Sequence, residues 1–232
     1  MGSIEVGTEG EAFHLSMTPT QDGLSWVLSA RDWKLQSDPE LPFDRVEARG
    51  RMSPGLLSID KLEGLLFDGA IAGTGELAWT GDANLAMNLD FERLDAARLM
   101  ALFRGEPGLE GRLTGKLKLM ARAGSFSALA GTAQLEGTFQ VEQGNLKRID
   151  LAQALRAVGK LEPVTGGATR FEDFSGAFAI DDKAVRLSRL RLHSGLMSAF
   201  GQVAVMRGGG AISGGGIAEM RGSATTVRAN LS

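Results

Sequence analysis

The stretch GTAQLEGTFQVEQGNLKRIDLAQAL (131–155) decides the fold class, because apolar and polar residues alternate in its first half. The even-numbered residues 132–142 are all polar, whereas the apolar residues occupy odd positions. The apolar residues are Ala133, Leu135, Phe139 and Val141. Successive side chains of a β-strand point to opposite faces, so this pattern predicts a strand with one face in water.

The same alternation recurs along the chain, which contains 32 glycines and only 6 prolines. Its other examples are 83–91, 113–119, 190–192 and 203–205. The runs number about a dozen and are spaced by roughly 8 to 12 residues, which favours antiparallel strands over parallel strands with crossover helices. We therefore expect a mainly β protein. We divide it into an N-terminal β-repeat segment (1–130) and a C-terminal β segment (131–232), which together form one continuous sheet.

Two short stretches carry helical rather than alternating patterns. They are LDAARLMALF (94–103) and IDLAQALRAVGKL (149–161), the second with Asp150 as N-cap and Gln153 completing a capping box. Each follows a strand, a glycine turn and a strand, at an offset of roughly 55 residues, which indicates a duplicated unit. The glycine-rich residues 207–232 predict frayed edge strands, which leaves an edge-strand homodimer open.

Composition excludes several classes of function. The net charge of -3 and the pI near 5.5 disfavour binding to nucleic acid. There is no cysteine, hence no disulfide, thiolate metal site or cysteine nucleophile. The sequence holds no apolar stretch long enough for a membrane-spanning helix and no signal segment. We expect the chain to be a piece of a longer protein.

The polar residues offer little chemistry, and we predict no enzyme, catalytic residue, metal or cofactor. His14 and His193 are far apart in sequence and have no acidic neighbour. The pairs Glu172/Asp173 and Asp181/Asp182 are adjacent on a strand or in a turn, so they predict solvated charges rather than a carboxylate dyad. The glycines of 208–216 are not followed by the lysine of a phosphate loop.

The apolar strand faces are the remaining candidate site. In a closed sandwich they would form a core, whereas in a sheet that curls without closing they would form a trough for acyl chains. Both interpretations fit the composition. The residues that we predict to line such a groove are Leu85, Met87, Leu89, Phe91, Leu113, Leu117, Leu119, Leu135, Phe139, Val141, Phe178, Ile180, Leu190, Leu192, Val203 and Val205.

Several stretches resemble the C-terminal domain of the AsmA-like family, which includes TamB-type envelope proteins. They are QVEQGNL (140–146), IDLAQAL (149–155), TRFEDFSGAFAI (169–180) and SGLMSAFGQVAV (194–205), and residues 55–79 resemble the repeating strand unit more loosely. The resemblance implies an elongated, highly twisted antiparallel sheet, curled into a taco-like groove, with the two short helices. It carries no active site.

The resemblance also implies a function. Members are thought to lie in the periplasm, anchored in the inner membrane of a Gram-negative bacterium, and to conduct phospholipid toward the outer membrane. The expected partners are therefore phospholipid and, through the rest of the parent protein, membranes. The alternative is a closed β-sandwich scaffold for outer-membrane assembly. A glycan hydrolase on a β scaffold is the least favoured interpretation.

Overall fold

The computed structural model describes residues 4–8, 11–35, 40–102, 108–148, 150, 166–195, 197–207, 212–221 and 226–231. They form fourteen β-strands, one α-helix and two single turns of 3-10 helix at Phe126–Ala128 and Ala130–Thr132. The strands are β1 (Ile4–Thr8), β2 (Glu11–Thr20), β3 (Gly23–Leu35), β4 (Leu41–Ser53), β5 (Leu56–Leu66), β6 (Gly69–Ala78), β7 (Ala83–Asp95), β8 (Leu109–Ala123), β9 (Gln134–Lys147), β10 (Ala168–Ile180), β11 (Ala184–Ser194), β12 (Met197–Met206), β13 (Ile212–Arg221) and β14 (Thr226–Leu231).

All fourteen strands belong to one sheet, and their order in the sheet is their order in the sequence. Each strand therefore pairs with the strand before it and the strand after it, as in an antiparallel meander. The order begins at β1 and ends at β14, so no strand pairing in the described chain closes the sheet into a barrel. The prediction of a mainly β, antiparallel fold in one sheet is confirmed, with fourteen strands instead of about a dozen.

The chain separates into two compact units. Unit 1 contains residues 1–94 and 116–135, and unit 2 contains residues 95–115 and 136–232. The boundaries fall inside β7, β8 and β9. The division at residue 130 that the sequence suggested stays a prediction.

The first predicted helix is present as α1 (Ala96–Ala101). Asp95 caps it: one carboxylate oxygen, Oδ1, accepts hydrogen bonds from the backbone N–H groups of Ala97 at 2.9 Å and Arg98 at 3.0 Å. These bonds satisfy amides that the first helical turn leaves unpaired. The second predicted helix lies outside the described residues, apart from Asp150.

A local irregularity interrupts the alternation in β3, β5, β7, β9 and β11. In each of these strands two consecutive polar residues separate apolar or glycine positions that lie three apart instead of two. The paired polar residues are Arg31-Asp32, Asp60-Lys61, Glu92-Arg93, Glu142-Gln143 and Ser188-Arg189. At Asp60-Lys61 and Ser188-Arg189 the register shifts by one residue, which defines a β-bulge.

The other three pairs show the same irregularity in the backbone. The backbone angle φ lies between 50° and 55° at Asp32, Arg93, Gln143 and, in β11, Arg189. This is the left-handed region, which non-glycine residues seldom adopt. The extra polar residue compensates for the break in alternation. The apolar side chains before and after it in the sequence therefore stay on the same face of the sheet. A bulge also bends its strand, so β5 and β11 bend locally at this point.

Many glycines lie inside strands rather than in turns. Several of them lie beneath an aromatic side chain, which an added methyl group would approach to 3.1 Å or less. The pairs are Trp26 over Gly50, Phe43 over Gly64, Phe171 over Gly144 and Phe139 over Gly176. A large ring that lies flat over a glycine covers backbone that would otherwise face water, a known means of stabilising strand glycines.

Candidate functional site

The apolar face of unit 1 consists of rows of residues that run across the strands at right angles to them. Directly paired residues share a face, so the strand register identifies each row. The rows across β5, β6 and β7 are Leu57–Leu77–Leu85, Ile59–Gly75–Met87, Leu62–Gly73–Leu89 and Gly64–Ile71–Phe91. Each row contains at least two large apolar side chains and no polar one. The register thus brings the predicted residues of β7 onto one face with apolar residues that we did not name.

Unit 2 has equivalent rows across β10, β11 and β12. They are Ile180–Val185–Val205, Phe178–Leu187–Val203 and Phe174–Leu192–Ala199. Phe174 also contacts Phe139 of β9, with their ring centroids 5.3 Å apart in an edge-to-face arrangement. The register therefore places the predicted residues of β10, β11 and β12 on one face of this unit.

None of the sixteen predicted lining residues is fully exposed. Leu113, Val141 and Leu192 are buried, with 8%, 0% and 5% of their surface exposed, and the others are half-buried. Whether these residues contact lipid stays a prediction.

Burial follows position along the strands. The large buried apolar residues lie toward the end of the sheet where odd-numbered strands finish. We call them the buried strip: Phe43, Val46, Leu66, Phe67 and Leu94 in unit 1, and Leu113, Val141, Phe171, Leu192 and Met197 in unit 2. The half-buried residues nearer to the opposite end form the half-buried strip. It consists of Leu57, Ile59, Leu77, Leu85, Met87, Leu89, Leu117 and Leu119 in unit 1, and Phe178, Ile180, Val185, Leu187, Val203 and Val205 in unit 2.

One large residue breaks this pattern. Leu129 is buried, with 9% exposed, although it lies in the segment 124–133 that joins β8 to β9 at the end where odd-numbered strands start. It forms a cluster with Ala83 and Ala121, against which Leu77 and Leu85 of the half-buried strip pack. We call residues 124–133 the closing loop, because it covers the end of the half-buried strip in unit 1.

The opposite face of the sheet is polar and carries ion pairs between neighbouring strands. The Nζ atom of Lys116 lies 3.1 Å from Asp90 Oδ1, Arg122 lies 3.0 Å from Asp82 Oδ2, and Lys147 lies 2.6 Å from Glu110 Oε1. The hydrogen bond from Lys147 is the main reason why the pKa of Glu110 falls below its ordinary value. These side chains are largely exposed, and such pairs are typical of a solvated face.

Asp181 lies in the turn between β10 and β11, as the sequence predicted. Its Oδ1 accepts hydrogen bonds from the backbone N–H groups of Lys183 and Ala184, both at 2.8 Å, and Oδ2 accepts one from Arg186 at 2.7 Å. The hydrogen bond from Arg186, followed by the two backbone bonds, lowers the pKa of Asp181 to about 2. A carboxylate that accepts these three hydrogen bonds stabilises the turn. Asp182 beside it is exposed.

The remaining polar candidates are spread over the sheet. Glu172 accepts a hydrogen bond from the backbone N–H of Gly195 at 2.8 Å, whereas Asp173 accepts one from Gln140 at 2.7 Å. His193 pairs with Asp173 in the register, and its Nδ1 lies 3.4 Å from Ser198 Oγ. Within the described residues there is no group of three or more acidic or histidine side chains that could hold a metal ion. In the same part of the chain, no helix is long and apolar enough to cross a membrane.

A comparison with known families identifies the chain. The model of the AsmA family matches residues 14–190, which is well over half of the 232 residues. The chain belongs to the AsmA family. The suspected resemblance is thereby confirmed, and membership suggests a function related to the cell envelope. No curated protein and no solved structure matches the chain.

The AsmA match begins near the start of β2 and ends within β11. It therefore includes most of β2 and all of β3 and β4, where we predicted no lining residues. Trp26, Leu28 and Ala30 of β3 share a face with Phe13 and Met17 of β2. The alternation of Leu24, Trp26 and Leu28 in the sequence could have shown this, but Val27 between them hides it. Val27 is 51% exposed on the polar face.

Proposed function

We propose that the half-buried strip binds the acyl chains of phospholipid, and that this AsmA-family chain thereby supports phospholipid transport to, or maintenance of, the outer membrane. One observation carries the proposal: rows of large apolar side chains remain partly exposed, and the described residues form no second sheet to cover them. The proposal includes the groove expected from the sequence, an elongated, highly twisted sheet curled around its apolar face.

Apolar surface that is exposed to water is energetically unfavourable. Burial of apolar surface stabilises by about 25 cal/mol per Å², or ~0.8 kcal/mol for each methylene group. Leu57, Leu77 and Leu85 form one row, and each retains exposed surface that a hydrocarbon chain could cover. Contiguous exposed apolar surface of this kind is typical of a binding surface.

The composition of the strip favours hydrocarbon over any ligand with polar groups. The cross-strand rows contain only leucine, isoleucine, valine, phenylalanine, methionine, alanine and glycine. Such a surface has no donor or acceptor to fix a ligand's orientation, in contrast to ordinary small-molecule pockets. Neighbouring rows are chemically alike, so a bound chain could move from one row to the next at little cost.

The setting of this activity is also a proposal. We place the chain in the periplasm, as part of a protein anchored in the inner membrane of a Gram-negative bacterium. We propose no enzymatic reaction, because three of the four acidic residues that we singled out, Glu172, Asp173 and Asp181, are engaged in turns or strand contacts. Asp181 is the clearest example, with three hydrogen bonds to its carboxylate.

Adjacent residues of β8 provide the test. Leu119 lies on the half-buried strip, whereas Met120 lies on the polar face and is 40% exposed. We expect Leu119→Asp to lose most of the phospholipid that copurifies with the protein, because a charge in the strip disfavours hydrocarbon. Met120→Asp adds the same charge to the same strand and should retain the lipid. Native mass spectrometry and organic extraction of both variants measure the difference.

The result is informative in both directions. Lipid absent from the unaltered protein as well, after expression in a Gram-negative host and in vesicle-binding assays, would refute the proposal. Equal lipid content in the two variants would place any bound lipid elsewhere on the molecule. Circular dichroism of each variant shows whether the strand fold is intact.

A second candidate function is a scaffold that recruits envelope proteins. Phe200 and Ile217 favour it, because they pair directly across β12 and β13 on the polar face and are 48% and 47% exposed. Exposed apolar pairs among polar residues are found at protein interfaces. A Phe200→Asp variant that keeps its lipid but fails to support the outer membrane in cells would favour the scaffold.

A further inference from the structure

The closing loop attaches to unit 1 in an unusual way. Its hydrogen bonds run within the loop itself: the backbone N–H groups of Leu129 and Thr132 donate to Phe126 and Leu129, at 3.2 and 3.1 Å. The hydroxyl of Thr132 also donates to the Leu129 carbonyl, at 3.0 Å. The loop thus holds part of its own backbone in two single turns of 3-10 helix.

Its contacts with the sheet are apolar. Leu129 packs on Ala83 and Ala121, and the ring of Phe126 meets Trp79 edge-on, with their centroids 6.0 Å apart. Apolar contacts have no directional requirement, so another hydrocarbon group could replace either of them. Phe126 is 56% exposed, the largest exposure among the large apolar residues of the described chain.

The position of the loop connects it with the proposed lipid site. Leu129 rests on two alanines, and the Leu77–Leu85 row of the half-buried strip packs against the same cluster. The Leu129 side chain therefore occupies the place where the strip would continue over Ala83 and Ala121. Among the described residues of unit 1, Leu129 is the one large apolar residue at that end of the strands that is buried.

We propose that the closing loop is a lid that an acyl chain displaces. In the closed state Leu129 covers the end of the half-buried strip in unit 1. In the bound state a hydrocarbon tail takes the place of Leu129 over the two alanines, and Phe126 leaves Trp79. This inference rests on the proposed lipid-binding function and adds to it where a chain enters and what must move.

The sequence of the loop, GSFSALAGTA (124–133), suits a movable segment. Gly124 and Gly131 lie near its two ends, and a methyl group at either would meet no atom within 4 Å. The space beside the backbone is therefore open at these two points. Between them, only Phe126 and Leu129 have large side chains, and both are the contacts with the sheet.

A reversible disulfide tests the lid directly, because the chain contains no cysteine of its own. In the double variant Ala121→Cys, Leu129→Cys, oxidation should fix the loop to β8, and reduction should release it. A fluorescent long-chain fatty acid is the probe. We expect the oxidised form to bind it about fivefold to tenfold more weakly than the reduced form, the equivalent of one or two lost methylene contacts.

A spectroscopic signal checks that the loop itself moves. The chain has three tryptophans, so the Trp26→Phe, Trp33→Phe variant leaves Trp79 as the single reporter. Loss of the Phe126 ring should shift the emission of Trp79 when the probe binds. When Ala121→Cys and Leu129→Cys are added to this single-tryptophan variant and the disulfide is oxidised, the shift should disappear. Leu129→Ala provides a second route, because it vacates the alanine surface without a crosslink and should strengthen binding of the probe.

The outcomes separate the two proposals. Weaker binding in the oxidised form, together with a lock-sensitive Trp79 shift, supports the lid. Equal binding in the oxidised, reduced and Leu129→Ala forms, with an unchanged Trp79 spectrum, overturns the lid while leaving lipid binding in place. Absence of probe and phospholipid binding in the unaltered chain overturns the proposed function, and the lid with it.

Discussion

The buried strip and the half-buried strip contain the same kinds of side chain but differ in how much of each side chain is exposed. Val141 has none of its surface exposed, whereas Val203 on the same face of unit 2 is only half-buried. A fully buried valine contributes its whole transfer free energy to stability, and a half-buried valine contributes part of it. The comparison teaches that one face of a sheet can serve as a core along one end and remain available to a ligand along the other.

The largest expected effect comes from a charge placed in each strip. Val141→Asp should destabilise unit 2 by about 4 kcal/mol or more, because an unpaired carboxylate would be buried. Val203→Asp should leave the protein folded, since this position still reaches water, while lowering its lipid content. Denaturant unfolding followed by circular dichroism measures the first effect and lipid extraction the second. Equal losses of stability at the two positions would contradict the difference in burial between the two strips.

The glycines in the apolar rows across β5, β6 and β7 should be the next most sensitive positions. A methyl group at Gly73 would overlap the carbonyl oxygen of Asn88 and come within 2.6 Å of Leu89 Cδ2. We expect Gly73→Ala to cost about 2 kcal/mol through this overpacking. Gly81→Ala is the matched control, because nothing lies within 4 Å of its added methyl group. Similar unfolding midpoints for both variants would show that the rows can absorb extra volume.

Truncation of valine sharpens the comparison without adding charge. Val46→Ala and Val141→Ala remove the same groups from the buried strips of the two units and should each cost about 1.5 kcal/mol. Val203→Ala should cost about half as much, because part of the removed surface was already exposed and fewer neighbours lose contacts. The free energy of unfolding of the three variants, measured in urea, provides the comparison. A cost at Val203 as large as that at Val141 would mean that the half-buried strip is packed.

The smallest effect concerns the turn that begins the half-buried strip in unit 2. The folded-state pKa of Asp181 is lowered to about 2 from an ordinary value of 3.8, so ionisation of this carboxyl group stabilises the folded state at neutral pH. That contribution is fully present above pH 3.8 and is lost as the pH falls through about 2. The stability advantage of the unaltered protein over Asp181→Asn should therefore shrink across this interval.

Thermal unfolding at several pH values measures this difference. Asp182→Asn in the same turn serves as the control, because Asp182 is exposed and the capping bonds belong to its neighbour. A pH dependence that is unchanged by Asp181→Asn would mean that the bond to Arg186 contributes nothing in solution.

Much of the fold was predictable because a strand repeats its environment every two residues. The alternation in 83–91 and 132–142 predicted strands that the structure confirms as β7 and β9. The first helix was predictable for a similar local reason, since Asp95 caps a run with helical spacing. The second predicted helix lies outside the described residues and stays a prediction.

The irregular positions also had a signal in the sequence, which the search for strict alternation missed. Pairs such as Glu92-Arg93 and Ser188-Arg189 place two polar residues between apolar ones. This spacing breaks the period of two, yet the strand continues because a bulge absorbs the extra residue. The closing loop had no comparable signal, because its small residues are typical of any surface loop.

The sequence by itself determined which side chains share a face, because the pleat of a strand sends alternate residues to opposite sides. It also determined that this face is apolar and that the other is charged. Only the tertiary structure decided which end of each strand is buried and which residues cover it. Val141 and Val203 carry the same side chain in similar local patterns, and their exposure differs because burial depends on neighbours that lie far away in the sequence.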